Sequence, residues 1–312
     1  MNTKMKIGNV SYTGKVFLVP LEGSNIKAFR VLCRKYGAAI MPSQLFEASE
    51  LIKNSASIID ISEKERPITI QLYGNNPKIM AEAAKMAEPH ADIIDLNFDI
   101  SDAQVMSKKK GSYLLKEPEK IGEIVKAVKE AVLIPVTVKI RSGYDTVNAV
   151  DVAMICENNG ADAITVHART TKDDIDDPAS WSVIKHVKSA VKIPVIGSGG
   201  VTDALMAKKI VQMTNCDGIA VGRAARGNPY IFMQINQMLI GAGNLPEPKL
   251  KRKKDIFNEF YELYAKESDR KFDDFKKHTL YFFEGLMNSK QIIKDLSTKN
   301  SEEEINKYLR EI

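Results

Sequence analysis

The chain has 312 residues, of which 44% are hydrophobic and 27% charged, with a formal net charge of +5. That length suits one large α/β barrel of about 250 residues plus a small appendage better than two equal domains. The N-terminal MNTKMKIGNVSYTGK has no apolar signal core, and no apolar run approaches the roughly 20 residues that span a bilayer. No membrane segment is expected, and the three cysteines Cys33, Cys156 and Cys216, which lack metal-ligand or disulfide spacing, point to a reducing cytoplasm and no metal site.

From Lys15 to about residue 222, short β-branched runs alternate with segments of helical period. Strands are expected at KVFLVP (15–20), AAIMPS (38–43), ITIQLYG (68–74), DIIDLN (92–97), VTVKIR (136–141), AITVHA (163–168), PVIGSG (194–199) and GIAVGR (218–223). Between them, stretches such as 118–132, 146–159 and 201–213 carry apolar residues at three- and four-residue spacing. Eight such repeats predict a (β/α)8 barrel over residues 1–244. A doubly wound open sheet is the alternative, but no GxGxxG follows the first strand.

The segment GAGNLPEPK (241–249) breaks the pattern, and residues 245–312 are expected to form a helical tail. Phe257, Phe260, Tyr261 and Tyr264 recur at helical spacing, which predicts a packing face, with base stacking as the alternative. Basic residues gather in KLKRKK (249–254) and DRKFDDFKKH (269–278), interleaved with aromatics in the second, a pattern shared by solvated helix faces and nucleic-acid contacts.

In a (β/α)8 barrel the active site lies at the C-terminal ends of the strands. Gln71, Asn97, Lys139, Arg141, His167 and Arg169 stand at such ends and are therefore candidates on position alone. The loops GSGGV (197–201) and GRAARGNP (222–229) lead into expected helices. Their glycines let backbone N–H groups approach a phosphate, and Arg223 adds a charge-assisted hydrogen bond. A phosphate-bearing cofactor or substrate is implied.

The ordered motifs LVPLEGSNIKAFRVLCRKYGA (18–38), QLYG (71–74), DLN (95–97), GSYLLKEP (111–118), IPVTVKIRSGYD (134–145), TVHART (165–170), IPVIGSGGV (193–201) and CDGIAVGRAARGNPYIF (216–232) resemble those of tRNA-dihydrouridine synthases. FKKHTLYFFEGL (275–286) is similar to the lysine-histidine helix of that family's RNA-binding domain. The resemblance implies FMN as cofactor, NAD(P)H as electron donor, tRNA as partner, and reduction of the C5–C6 bond of uracil. It places Pro20, Leu21, Gln71, Lys139, His167, Ser198, Gly199, Gly200, Gly222 and Arg223 around the flavin, with Lys139 near N1. It places Asn97 and Arg141 on the substrate side, and Lys253, Lys254, Lys276, Lys277 and His278 against RNA.

The resemblance breaks at NFDIS (97–101), where the family carries asparagine-x-glycine-cysteine-proline. Ile100 stands at the position of the proton-donating cysteine, and Cys33, Cys156 and Cys216 are expected as buried small hydrophobes. The loop TKDDIDDPASW (171–181), with Asp173, Asp174, Asp176 and Asp177, also departs from the family. Three readings follow: a divergent synthase with another acid, such as Asp99, Asp102 or solvent; a flavoprotein oxidoreductase acting on a different substrate; or a non-catalytic flavin- or RNA-binding descendant.

Overall fold

The computed structural model describes residues 4–20, 25–174, 176–268, 270–286 and 289–312. The chain opens on an antiparallel hairpin, β1 (Lys4–Ile7) and β2 (Val10–Thr13). Eight strand–helix units follow: β3 (Val16–Leu18) with α1 (Lys27–Lys35), β4 (Met41–Glu47) with α2 (Ala48–Asn54), β5 (Ile68–Tyr73) with α3 (Pro77–Ala87), and β6 (Ile93–Phe98) with α4 (Ala103–Ser107) and α5 (Pro118–Ala131). The second half comprises β7 (Val136–Gly143) with α6 (Ala149–Asn158), β8 (Ala163–Thr170) with α7 (Trp181–Ala190), β9 (Val195–Ser198) with α8 (Ala204–Thr214), and β10 (Gly218–Val221) with α9 (Tyr230–Leu239). The eight strands pair in parallel in the order β3-β10-β9-β8-β7-β6-β5-β4. Ala39 N–H donates to Val16 O at 2.7 Å and Leu18 N–H to Ile40 O at 3.3 Å, joining the two ends. The result is a (β/α)8 barrel, and each run read from the sequence falls on one of its strands.

Strand period explains why these sequences build a barrel. In β7, VTVKIRSG, every residue is buried. Val136, Val138 and Ile140 belong to the main apolar core, while Thr137, Lys139 and Arg141 line the barrel interior or its mouth. Both faces of a parallel barrel strand are covered, so the alternation sorts helix-facing from axis-facing residues rather than buried from exposed. β4 departs most from the sequence reading: it begins at Met41, runs to Glu47 and shifts register between Pro42 and Leu45.

The N-terminal hairpin was not anticipated, although Gly8-Asn9 between two short alternating runs is a hairpin signal, and Gly8 takes the left-handed φ of +55°. Its Ile7 and Tyr12 pack with Phe17, Ile93, Ala163 and Ile196 in a second apolar cluster. Ile93 and Ala163 are the first residues of their strands, so the hairpin covers the N-terminal end of the barrel.

The tail is helical: α10 (Leu250–Tyr264), α11 (Phe272–Phe283), α12 (Ser289–Ser297) and α13 (Glu302–Glu311). Phe257 sits at its centre, with ring centroids of Phe260, Phe275, Phe282 and Phe283 at 6.1, 5.8, 5.7 and 5.6 Å. These rings are core, each contributing about 1.5–3 kcal/mol by burial, and Phe257 and Phe260 offer no face for base stacking. Gly227, at φ +62°, lies against α11 so closely that a Cβ there would fall 2.2 Å from the Tyr281 main chain. Arg226 covers the Tyr281 ring. Glu267 Oε1 accepts the Ala28 N–H at 2.6 Å, supplying an acceptor to the N-terminus of α1, whose own cap residue Ile26 has none. Behind α1, the fully buried Arg30 pairs with Glu65 at 2.5 Å and donates to the carbonyl of Asn25.

His278 is corrected by the structure. Instead of facing RNA it is fully buried, with Phe29 and Phe260 ring centroids each at 5.3 Å, and neither ring nitrogen has a partner among the described residues. Lys253 and Lys254 are half-buried and donate to the carbonyls of Glu284 and Ile312, at 2.8 and 2.6 Å. Lys277 is exposed and Lys276 half-exposed.

Burial, with Lys277 and Arg226 adding to it, pushes His278 down to about 3. An unfolded histidine titrates near about 6.5, so between these values the unfolded state binds the extra proton and stability falls as pH drops from about 6.5. His278→Phe keeps a ring in the slot and removes this proton. Its urea midpoint should fall less than that of the wild type on acidification through this window, and equal slopes would refute the assignment.

Candidate active site

A cavity of about 1260 Å³ opens at the C-terminal end of the strands. Pro20, Gln71, Asn97, Asp99, Lys139, Arg141, His167, Arg169, Ser198, Gly199, Gly200, Gly222 and Arg223 line it. Leu21 lies outside the described residues. Strand register brings these side chains together: Asn97 sits beside Lys139, Arg141 beside His167, and His167 beside Ser198.

The charged floor centres on Asp99, immediately after β6. The side-chain oxygen of Asn97 accepts the Asp99 N–H at 2.8 Å and turns the chain inward. The Asp99 carboxylate then meets the Lys139 ammonium, Arg141 Nε at 3.0 Å and His167 Nδ1 at 2.9 Å. Arg141 also donates to Thr170 O and Ser101 Oγ, both at 2.9 Å, so its guanidinium is fixed from three sides. Burial by itself would push the Asp99 carboxyl up, but Lys139, His167 and Arg141 outweigh it and hold Asp99 well below the usual carboxylate range. Asp99 is therefore an ionised anchor and no proton donor. Asp102, the other carboxyl considered as an acid, caps α4 by accepting the N–H groups of Gln104 and Val105.

Beneath this floor runs a polar chain in which Gln71 and Asn97 were candidates by position and Asp95 and Thr137 were not. Asn97 Nδ2 donates to Gln71 Oε1 at 2.7 Å, Gln71 Nε2 to Asp95 Oδ2 at 2.5 Å, and Thr137 Oγ1 to Asp95 Oδ1 at 2.6 Å. Burial pushes the Asp95 carboxyl up, against the pull of Thr137 and Gln71. Asp95 and Thr137 lie two residues before Asn97 and Lys139, so the strand period carries their signal. Two wall residues were also missed, Asn25 and Gln44. Their carbonyl oxygens, Asn25 Oδ1 and Gln44 Oε1, are buried without a partner among the described residues.

Ile100 lines the cavity where the sequence places the missing acid. Cys33, Cys156 and Cys216 are buried and do not line it, and burial pushes all three thiols up, Cys156 to about 12. The acidic loop after β8 is engaged locally. Asp173 accepts the Thr170 N–H, Asp177 accepts the Asp174 N–H, and Asp176 pairs with Arg223 at 2.8 Å.

Asp99→Asn leaves Lys139 and Arg141 facing each other without a counter-charge. It should lower folding stability by about 3 kcal/mol, the order found when one partner of a buried ion pair is removed. Urea unfolding measures this, and an unchanged midpoint would refute the anchoring role.

The fold is a (β/α)8 barrel whose polar side chains gather in one cavity at the C-terminal ends of its strands. The family model described as Dihydrouridine synthase (Dus) matches residues 17–312. A probable tRNA-dihydrouridine synthase of Rickettsia bellii is 36% identical over 295 residues, covering 91% of this chain and 90% of that protein. The tRNA-dihydrouridine synthase B of Vibrio vulnificus is 37% identical over 273 residues, covering 83% and 85%. The chain belongs to the dihydrouridine synthase family. Among solved structures, histamine dehydrogenase from Rhizobium sp. 4-9 superposes with a TM-score of 0.56 at 15% identity, covering 83% of this chain and 50% of that one; this likeness is one of fold.

Proposed function

We propose that this chain is an FMN-dependent oxidoreductase that reduces uridine in tRNA to dihydrouridine with electrons from NAD(P)H. The observation that carries the reading is the meeting of the two glycine-rich loops with Lys139, Arg141 and His167 around one cavity.

The residues present fit the cofactor. Gly199 and Gly200 hold φ of +103° and +72°, where a side chain is strained, and Trp181 Nε1 donates to the Gly199 carbonyl at 3.1 Å. A pinned main-chain cradle thus stands beside Arg223. The Arg223–Asp176 pair is largely exposed, with side chains 54% and 85% accessible. Such a pair contributes only about 0–1 kcal/mol, so a phosphate readily displaces the carboxylate. The unpartnered oxygens of Asn25 and Gln44 suit N–H donors, and both an isoalloxazine and a uracil carry an imide N–H.

When bound and reduced, FMN supplies hydride. Lys139 sets a cation in the cavity that favours negative charge on a ring beside it, shared with Asp99. Arg141 and Asn97 hold the substrate side, and of the five tail residues expected against RNA, Lys276 and Lys277 are the two that are neither buried in the core nor bonded to a main-chain oxygen among the described residues. A second reading, the same cofactor chemistry on another substrate, is favoured by the aliphatic Ile100 on the cavity wall.

Protein reconstituted with FMN should show flavin absorbance bands, and Lys139→Ala should weaken FMN binding, as read by titration. Incubation with NADPH and tRNA should yield dihydrouridine by nucleoside mass spectrometry, and its absence would transfer preference to the second reading. Lys276→Ala/Lys277→Ala should weaken tRNA binding irrespective of sequence and reduce the slope of log affinity against log salt by about 1–2.

A further inference from the structure

Reduction of a carbon–carbon double bond needs a proton as well as a hydride, and the wall position that would deliver it holds Ile100. The other groups around the cavity narrow the choice. Asp99 is ionised by its cationic neighbours, and Asp102 is committed to capping α4. Arg141 on β7, Arg169 on β8 and Arg223 after β10 do not give up protons in the working range. Lys139 is paired with Asp99. Tyr73 on β5 points its hydroxyl at Glu47, 3.4 Å away, and burial, with Glu47 beside it, pushes that phenol up.

His167 remains. Its Nδ1 faces Asp99 Oδ1 at 2.9 Å, so the carboxylate fixes a proton on Nδ1. Any second proton must then reside on Nε2. That nitrogen has no partner among the described residues, and the ring forms part of the cavity wall. Asp99 sets the tautomer, orients the ring and supplies the negative charge that an imidazolium requires beside Lys139 and Arg141.

We propose that His167 is the proton donor of the reduction and that Asp99, which replaces the family's glycine, is its positioning residue. This rests on the uridine-reductase reading. Hydride and its electron pair reach C6 of the uracil, the Nε2–H bond of the imidazolium breaks, and a C–H bond forms at C5. Neutral His167 keeps its proton on Nδ1, hydrogen-bonded to the Asp99 carboxylate, and regains the other on Nε2 from water. The residues at 99 and 100 are then coupled: where the family resemblance puts a thiol acid, this chain has an aliphatic side chain and a carboxylate–imidazole pair lining the same cavity.

The test follows single-turnover dihydrouridine formation from pre-reduced, FMN-loaded full-length protein across pH. The wild-type rate should fall as pH rises through one ionisation. His167→Gln should retain FMN, lose that ionisation and slow the reaction by about 10²–10⁴-fold, the usual worth of a positioned general acid. Ile100→Cys, added to His167→Gln, should restore rate with a new ionisation belonging to the thiol. A readout independent of turnover comes from nitrogen NMR of histidine-labelled protein, which has only four histidines. A low-field Nδ1–H signal should vanish in His167→Gln and lose its shift in Asp99→Asn.

An FMN-retaining His167→Gln with unchanged rate and pH profile would overturn the donor assignment, as would loss of the ionisation in Tyr73→Phe instead. Failure of the wild type to form dihydrouridine overturns the underlying reading and the donor with it. Dihydrouridine formation indifferent to His167 overturns the donor alone.

Discussion

One carboxylate organises the floor of this site. Two permanent cations and an imidazole on adjacent strands would repel one another in a cavity only partly open to water, where Coulomb terms are much stronger than in bulk. Asp99 touches all three. Its position follows from the Asn97 side chain, which draws the chain inward just past β6, and from parallel registers that set Asn97 beside Lys139 and Arg141 beside His167. The same contacts that hold the cations in place deprive Asp99 of its proton. A group that anchors a cationic cluster cannot also serve as its acid.

The barrel was legible because its strands are short, β-branched and regularly spaced, and because runs such as 136–140 alternate apolar helix-facing residues with axis-facing ones. The mouth residues were legible too, since a strand's last inward side chains are fixed by its period. What the sequence hid was pairing. Asp99 reads as a candidate acid until register places it among Lys139, Arg141 and His167 as their counter-charge. The family resemblance implies an RNA contact for His278, yet helical period carries it onto the face of Phe275 and Phe282. Lys253 and Lys254 are spent on main-chain carbonyls by the folding of the tail onto itself, which no local pattern announces. The hairpin at 4–13 did carry a local signal in Gly8-Asn9.

Divergence within the cavity is uneven in a way that chemistry explains. The proposed phosphate cradle at 198–200 rests on main-chain geometry, set by the positive φ of Gly199 and Gly200. Uracil reduction depends on individual side chains, and there single substitutions change the available acid. Ile100 and Asp99 belong together in this account, because the first removes a proton source and the second alters the electrostatics of the nearest remaining one.

The hydrogen bond from Ala28 to Glu267 spans 239 positions of chain. It makes the tail a working part of the first barrel helix and, through Arg30 and its grip on Asn25, of the cavity wall. Removing the tail would strip α1 of its only side-chain acceptor among the described residues and expose the Phe29 surface that His278 covers. A shortened barrel would thus report the loss of its own scaffolding as well as of any RNA contact. The appendage and the barrel are thus one folding unit at this point, because the acid at 267 serves a helix it does not belong to.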